Sequence, residues 1–315
     1  MLEETASPTP PSPSADAPSF RSGFAGLVGL PNVGKSTLLN RLVGERLSIV
    51  TAKAQTTRRR LLGIYTDDSH QAVFVDTPGL LDPRYRLQEA MRAEATAALQ
   101  DADVLVDVVD AGFEPSVEWA CTYDPGTAAP RILCLNKVDR VGEGRRDELL
   151  ASFEGGPWVA VMPTVAEEGR GVEALRAAIL GQLPESPPFY PRDELSDAPV
   201  REFVAELVRE TCLEELAEEV PYSIAVRVEE FRDRGPERAV YIEALLYVER
   251  ESQKGIVIGA GGRTIRKIGT AARGKIEAFL GRHVYLELRV KVLPNWRKRD
   301  KYLTLLGFRV PSQES

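Results

Sequence analysis

The stretch Gly29-Leu-Pro-Asn-Val-Gly34-Lys35-Ser36 decides the fold. A short apolar run, Phe24 to Val28, leads into it, and a segment with helical spacing, Lys35 to Val43, leaves it. Strand, glycine-rich turn and helix, in that order, are the context in which G-x-x-x-x-G-K-S wraps phosphates. The glycines let backbone N–H groups curve around the anion, and the helix N-terminus favours negative charge. Lys35 is expected to reach the β- and γ-phosphates, and the Ser36 hydroxyl to ligate Mg²⁺. Gly29, Leu30, Pro31, Asn32, Val33, Gly34 and Thr37 complete the expected cradle.

Apolar runs recur outward from this loop at Ala72–Asp76, Val104–Asp110, Arg131–Asn136 and Trp158–Met162. Helical patterns at Arg84–Gln100, Arg145–Phe153 and Val172–Leu183 separate them. The alternation predicts an α/β domain with a mostly parallel sheet and helices on both faces. Acids at strand C-terminal ends face the ligand crevice of such a sheet. Asp76-Thr77-Pro78-Gly79 ends one strand, so Asp76 is expected to hold Mg²⁺ and the Gly79 N–H to meet the γ-phosphate. Asn136-Lys137-Val138-Asp139 ends another. A carboxylate accepts from both guanine N1–H and its 2-amino group, and adenine has no such donor pair, so Asp139 points to GTP and GDP over ATP. Lys137 can lay its stem along the base while Asn136 braces the loops. Between the first two motifs lies Ala54-Gln-Thr-Thr57-Arg58. A threonine there can close over Mg²⁺ and the γ-phosphate and let go after hydrolysis; Thr57 is the choice and Thr56 the alternative. The expected catalytic set is Lys35, Thr57, Gly79 and Asn32.

The alternation breaks at Pro184-Glu-Ser-Pro-Pro-Phe-Tyr-Pro191, which suits neither helix nor sheet interior. The expected division is a Pro/Ser-rich disordered tail over 1–22, a nucleotide domain over 23–183, a linker and hinge over 184–199, and a second domain over 200–315. In the last, Val200 to Val208 has helical spacing with Asp197 as N-cap, and Tyr222 to Val228 and Val240 to Val248 alternate as strands. Ile265, Ile268, Ala272, Ile276 and Phe279 share a helical face, and Val284 to Val292 alternates again. Helix, strand, strand, helix, strand is an α+β module. Gly259-Ala260-Gly261-Gly262 precedes its second helix, with Arg263, Arg266, Lys267 and Arg273 around it. Such a loop resembles the G-x-x-G clamp of K-homology (KH) domains, in which small residues admit a single-stranded nucleic-acid backbone. A further basic run, Arg289 to Lys301, surrounds Trp296, and contact with RNA, contact with anionic lipid, or a solvated tail helix all fit it.

Bulk properties agree with a two-domain globular protein: 315 residues, 43% hydrophobic, 28% charged, net charge −7. The acidic total weighs against bulk nucleic-acid binding, so any such surface must be local. Cys121, Cys134 and Cys212 show no metal-pair spacing and suit a reducing, cytoplasmic compartment. No apolar run reaches the ~20 residues of a membrane span. The N-terminus has neither the apolar core of a signal peptide nor the basic character of a transit peptide.

Taken together, Gly29–Ser36, Ala54–Arg58, Asp76–Gly79, Asn136–Asp139, Val220-Pro-Tyr222-Ser223, Val248-Glu-Arg250, Val257-Ile-Gly259-x-x-Gly262 and Leu286-Glu-Leu-x-Val-Lys291-Val resemble the Era family of bacterial GTPases. The resemblance spans about residues 24 to 310. It implies a P-loop GTPase domain followed by a smaller type II KH domain, and binding of the single-stranded 3′ end of 16S ribosomal RNA during assembly of the 30S subunit. Asn32 matches a position that in related GTPases helps hold K⁺ near the phosphates. Leu80 stands where other GTPases carry a water-orienting Gln, which implies slow intrinsic hydrolysis stimulated by K⁺. The family's Ser-Ala pair after the last strand appears as Val165-Ala166, and the resemblance assigns the Ala166 N–H to guanine O6. A monomer is the simplest expectation, and weak peripheral association with the inner face of the cell membrane is compatible with the chain. Two other functions stay open: an RNA-binding protein for which GTP is mainly a structural ligand, and a GTPase of tRNA modification or membrane-linked signalling.

Overall fold

The computed structural model describes residues 20–50, 57–79, 83–113, 115 and 126–311. Thr56, Leu80 and Cys121, and nearly all of the expected tail, lie outside the described residues.

The first sheet contains β1 (Arg21–Val28), β2 (Leu61–Thr66), β3 (His70–Asp76), β4 (Val104–Asp110), β5 (Arg131–Asn136) and β6 (Trp158–Thr164), in the order β2-β3-β1-β4-β5-β6. All pairings are parallel except β2 with β3. Strand alternation sends side chains to both faces. Ala25, Leu27, Val104, Val106 and Val108 pack under α1 (Lys35–Val43) and a helix at Val172–Leu180. Leu105 packs with Leu99 of α2 (Arg86–Gln100), and Val109, Leu133 and Leu135 lie under α3 (Glu143–Phe153). The Val172–Leu180 helix is α4. The antiparallel edge strand β2 was not expected, because Leu61-Leu-Gly-Ile-Tyr-Thr66 does not alternate cleanly. Strand β1 starts at Arg21, two residues before the expected start of order, and Ser22 is buried in it.

The second sheet has the order β7-β8-β9, from β7 (Ala225–Arg232), β8 (Val240–Val248) and β9 (Val284–Val292). Strand β7 is antiparallel to β8, and β9 is parallel to it. One face is covered by α5 (Val200–Glu215), α6 (Glu251–Ile258) and α7 (Arg263–Leu280), through Val204, Val208, Cys212, Val257, Ile268, Ala272 and Ile276. The order α-β-β-α-α-β has one helix more than expected. In α6 only Val257 is fully buried, so its pattern is faint. Two local expectations fail. Pro199, not Asp197, is the N-cap of α5, and no side chain caps it. Phe279 is 38% exposed and packs on Phe203 at 5.5 Å rather than in the core.

Residues 184–199 form neither helix nor strand, as expected, but they are strapped to the first sheet. Ser22 Oγ donates to Pro187 O (2.6 Å). Gln71 Oε1 accepts from Phe189 N (2.7 Å) and Tyr190 N (2.9 Å), while its Nε2 donates to Tyr190 O (2.9 Å). Ile64 N donates to Leu195 O (2.8 Å), and Ser196 Oγ donates to Leu62 O (2.6 Å).

A third apolar cluster joins the two sheets. Leu87 and Met91 of α2 meet Ala225, Leu245, Tyr247, Trp296 and residues Leu303, Leu306 and Phe308, which belong to or follow α8 (Asp300–Leu305). Trp296 is fully buried, and its indole N–H donates to Ser223 O (2.8 Å). The basic run around it is not one cationic face. Arg289 pairs with Glu243 and Glu287, Arg297 with Glu249, and Asp300 is held by Arg86.

Candidate functional site

A cavity of about 590 Å³ opens over the C-terminal ends of β1, β3 and β5. Of the expected residues, Pro31, Asn32, Gly34, Lys35, Ser36, Thr37, Thr57, Gly79 and Lys137 line it. The N-terminus of α1 takes no capping side chain, so its N–H groups face the cavity. Lys35 is buried and donates from Nζ to Gly29 O and Leu30 O, both at 2.9 Å. Burial pulls its ammonium down to about 8, against the opposing charge of Asp76.

Three hydroxyls converge on one carboxylate oxygen beside Lys35. Ser36 Oγ (2.7 Å), Ser48 Oγ (3.0 Å) and Thr57 Oγ1 (3.1 Å) all donate to Asp76 Oδ2, and Ser36 Oγ lies 2.8 Å from Thr57 Oγ1. Asp76 is fully buried, and its Oδ1 has no hydrogen-bond partner among the described residues. Burial raises the carboxyl above its ordinary range, although Lys35 and the three hydroxyls oppose this. Hard oxygen donors around a partnerless buried carboxylate oxygen fit a small divalent cation. Ser48 was missed from sequence, because an isolated serine between motifs carries no pattern.

The remaining expected residues brace the cavity from behind. Thr77 is buried and donates to Leu27 O (3.0 Å), tying β3 to β1, and Pro78 is buried beside it. Gly79 makes a close approach to the loop rather than to open space. A Cβ there would meet Pro31 N at 2.6 Å and Pro31 Cα at 2.8 Å. Asn136 ties three segments together. Its Nδ2 donates to Val33 O (2.8 Å), and its Oδ1 accepts from Thr164 Oγ1 (3.1 Å) and Ala166 N (3.0 Å). The Ala166 N–H expected to face a base is thus directed at Asn136. Val165 is buried in this turn. Lys137 adopts positive φ and donates from Nζ to Asn32 O (2.5 Å) and Asp110 Oδ2 (2.7 Å), which lays its stem over the loop. Asp139 is exposed on the short turn after β5, and Arg140 and Glu167 line that end of the cavity.

The residues after Thr57 cross to the second sheet. The Arg58 guanidinium is buried, donates to Ile224 O (2.6 Å) and Tyr222 O (2.9 Å), and lies 5.8 Å from the Trp296 ring centroid. Arg59 donates to Leu306 O and lies over the Phe308 ring at 5.0 Å. The motif Ala54–Arg58 includes the first of these arginines, but no sequence pattern assigned either one a role.

The second candidate surface is the loop between α6 and α7. Gly259 has φ +71°, and a Cβ there would lie 2.8 Å from Thr264 Cβ and 2.9 Å from Thr264 N, so only glycine closes this turn without strain. Nothing lies within 4 Å of the Cβ position at Gly261, leaving open surface beside the backbone. Arg263 and Arg266 are exposed and fold back to the carbonyls of Ala260 and of Gly261 and Gly262. Lys267 is exposed and pairs with Glu215 at 2.5 Å. Arg263 and Arg266 thus form a cationic rim beside a small-residue gap, while Lys267 is held by Glu215.

A family model described as 50S ribosome-binding GTPase matches residues 24–137, and a KH domain model matches residues 219–297. The chain is 42% identical to GTPase Era of Carboxydothermus hydrogenoformans over 293 residues, covering 92% of this chain and 98% of that one. It is 43% identical to GTPase Era of Thermotoga petrophila over 286 residues, covering 90% and 95%. Among solved structures, a single-substitution variant of Aquifex aeolicus Era bound to GDP.AlF4⁻ superposes with a TM-score of 0.85 at 38% identity, covering 92% of this chain and all of that one. Era in complex with MgGDPNP and nucleotides 1506–1542 of 16S ribosomal RNA superposes with the same score, identity and coverage.

Proposed function

The chain belongs to the Era GTPase family, and from that membership we propose that GTP controls its hold on the single-stranded 3′ end of 16S ribosomal RNA during small-subunit assembly. The observation that carries this is the run Thr57-Arg58. Thr57 bonds to Ser36 and Asp76 at the nucleotide site, and Arg58 grips the segment that begins the second sheet. A change at the γ-phosphate that moves Thr57 therefore moves a residue anchored in the KH domain.

In this proposal residues 21–183 form the GTPase domain, 184–199 the strap, and the residues from 200 onward the KH domain. Lys35 and the α1 N–H groups hold the β- and γ-phosphates, and Asp139 and Lys137 select guanine. Ala166 acts through its bond to Asn136. Ser36, Thr57 and Asp76, with Ser48 behind, are the residues that would hold Mg²⁺. That ion would neutralise charge on the β- and γ-phosphate oxygens. Asn32, exposed at positive φ, would help hold K⁺, as the family resemblance implies. Leucine at position 80 has no group to orient water, so hydrolysis is slow, and a K⁺ held by Asn32 would stimulate it relative to Na⁺. Gly259–Gly262, Arg263, Arg266 and Lys267 clamp the RNA backbone. The protein is proposed to act as a cytoplasmic monomer on the 30S subunit. No helix among the described residues is long and apolar enough to cross a membrane.

Thr57→Ala separates this proposal from the one in which GTP is a structural ligand. RNA affinity in the variant should no longer respond to the choice of GTP analogue or GDP. A response equal to that of the unaltered chain would favour the structural ligand.

A further inference from the structure

We infer that Glu210, a residue of neither the nucleotide site nor the RNA loop, is the positioning residue that joins the rim of the nucleotide cavity to the helix carrying that loop. The inference rests on the nucleotide-controlled RNA binding proposed above, and deepens it.

Glu210 is fully buried in α5, where a carboxylate is tolerated only with close partners. Its two oxygens go to opposite sides. Oε1 accepts from Arg46 Nη2 (2.6 Å) and from the Val50 N–H (3.4 Å), both on the loop after α1. Oε2 accepts from Lys275 Nζ (2.9 Å), on α7. Neither side of this bridge is loose. On the nucleotide side, Asn40 of α1 holds the loop, accepting from Leu47 N (2.9 Å) and Ser48 N (2.8 Å) and donating to Ser48 O (2.9 Å). Ser48 bonds to Asp76, and Ile49 and Val50 line the cavity. On the RNA side, Glu214 also holds Lys275, at 2.7 Å. Lys275 lies twelve residues along α7 from Arg263, roughly 18 Å at helical rise, so the helix carries a displacement to the loop as one body.

The loop of residues 46–50 is thus bonded at its middle, through Ser48, to Asp76, and at both ends, through Arg46, Val50 and one carboxylate, to the RNA-facing helix. Arg46 is 59% exposed, and without it the Glu210 carboxylate keeps Lys275 and the Val50 N–H as partners. Removing Arg46 should therefore change the coupling between sites and leave the fold.

The test is anisotropy of a labelled RNA matching the 16S 3′ tail, with the full chain, a non-hydrolysable GTP analogue and GDP. Thermal unfolding and GTP hydrolysis are recorded in parallel. For Arg46→Met the ratio of affinities in the two nucleotide states should shrink by about fivefold, with unfolding and hydrolysis unchanged. Lys275→Met should shrink it similarly, and the double variant no further, because both act through Glu210. Glu210→Gln, which keeps the shape, should match them. A full-sized ratio in Arg46→Met, or additive losses in the double variant, would overturn the inference. A unit ratio in the unaltered chain would instead remove the proposal beneath it.

Discussion

Arg58→Met removes the guanidinium that clamps the two domains while keeping most of its alkyl packing. The side chain donates two charge-assisted hydrogen bonds, to Ile224 O and Tyr222 O, and faces the Trp296 ring. Each bond to a charged donor contributes about 1.5–3 kcal/mol. Burial of the charge offsets part of this. Burial first, and then the nearby Arg209 charge, pull the guanidinium down to about 9. Methionine escapes that penalty but leaves two carbonyls short of a donor, so the net loss should be about 2–4 kcal/mol. Urea denaturation of the full chain, followed by circular dichroism, measures it. The cooperative transition should move to lower urea by that free energy and broaden as the domains unfold separately. Arg58→Lys should recover only part, because one ammonium cannot span both carbonyls as the planar fork does. A loss below about 1 kcal/mol in Arg58→Met would refute the clamp.

Three other outcomes follow from the sites. Lys35 sits near 8 in the free protein, and pairing with a phosphate raises it again, so nucleotide binding takes up a proton above that pH. GDP affinity measured without divalent cations should be flat to about pH 8 and then fall, approaching tenfold per unit; a flat profile to pH 9 would contradict the burial of Lys35. Asp139→Asn should cost about a hundredfold in GTP affinity and gain xanthosine triphosphate, read by competition with a fluorescent nucleotide. Unchanged GTP affinity would move base selection elsewhere. Arg266→Ala should lower the slope of log affinity against log salt by about 0.7 in RNA titrations, the share of one phosphate contact on a single strand, and an unaltered slope would take Arg266 off the RNA path.

The nucleotide cradle was legible because its chemistry is local. Lys35 and Ser36 open a helix that the glycine motif locates, Asp76 ends a strand that periodicity locates, and the structure brings them together with Thr57. What escaped was long-range. Ser48 reaches Asp76 only because Asn40 folds its loop back. Arg58 and Arg59 carried no assigned role, because the buried carbonyls they serve lie far along the chain. Trp296 stood among cations and invited a surface role, but Ser223 and Phe308 enclose it. The Ala166 N–H, assigned to a base by family likeness, is directed at Asn136. Helix α6 was missed because only one of its residues is fully buried and Gly255 interrupts it.

The most direct measurement is the affinity of the unaltered chain for a labelled RNA matching the 16S 3′ tail, by anisotropy, first with a non-hydrolysable GTP analogue and then with GDP. Binding at least tenfold tighter with the analogue, a coupling of about 1.4 kcal/mol, is the predicted result. Equal affinity in the two states would contradict control of RNA binding by GTP, whatever the rate of hydrolysis.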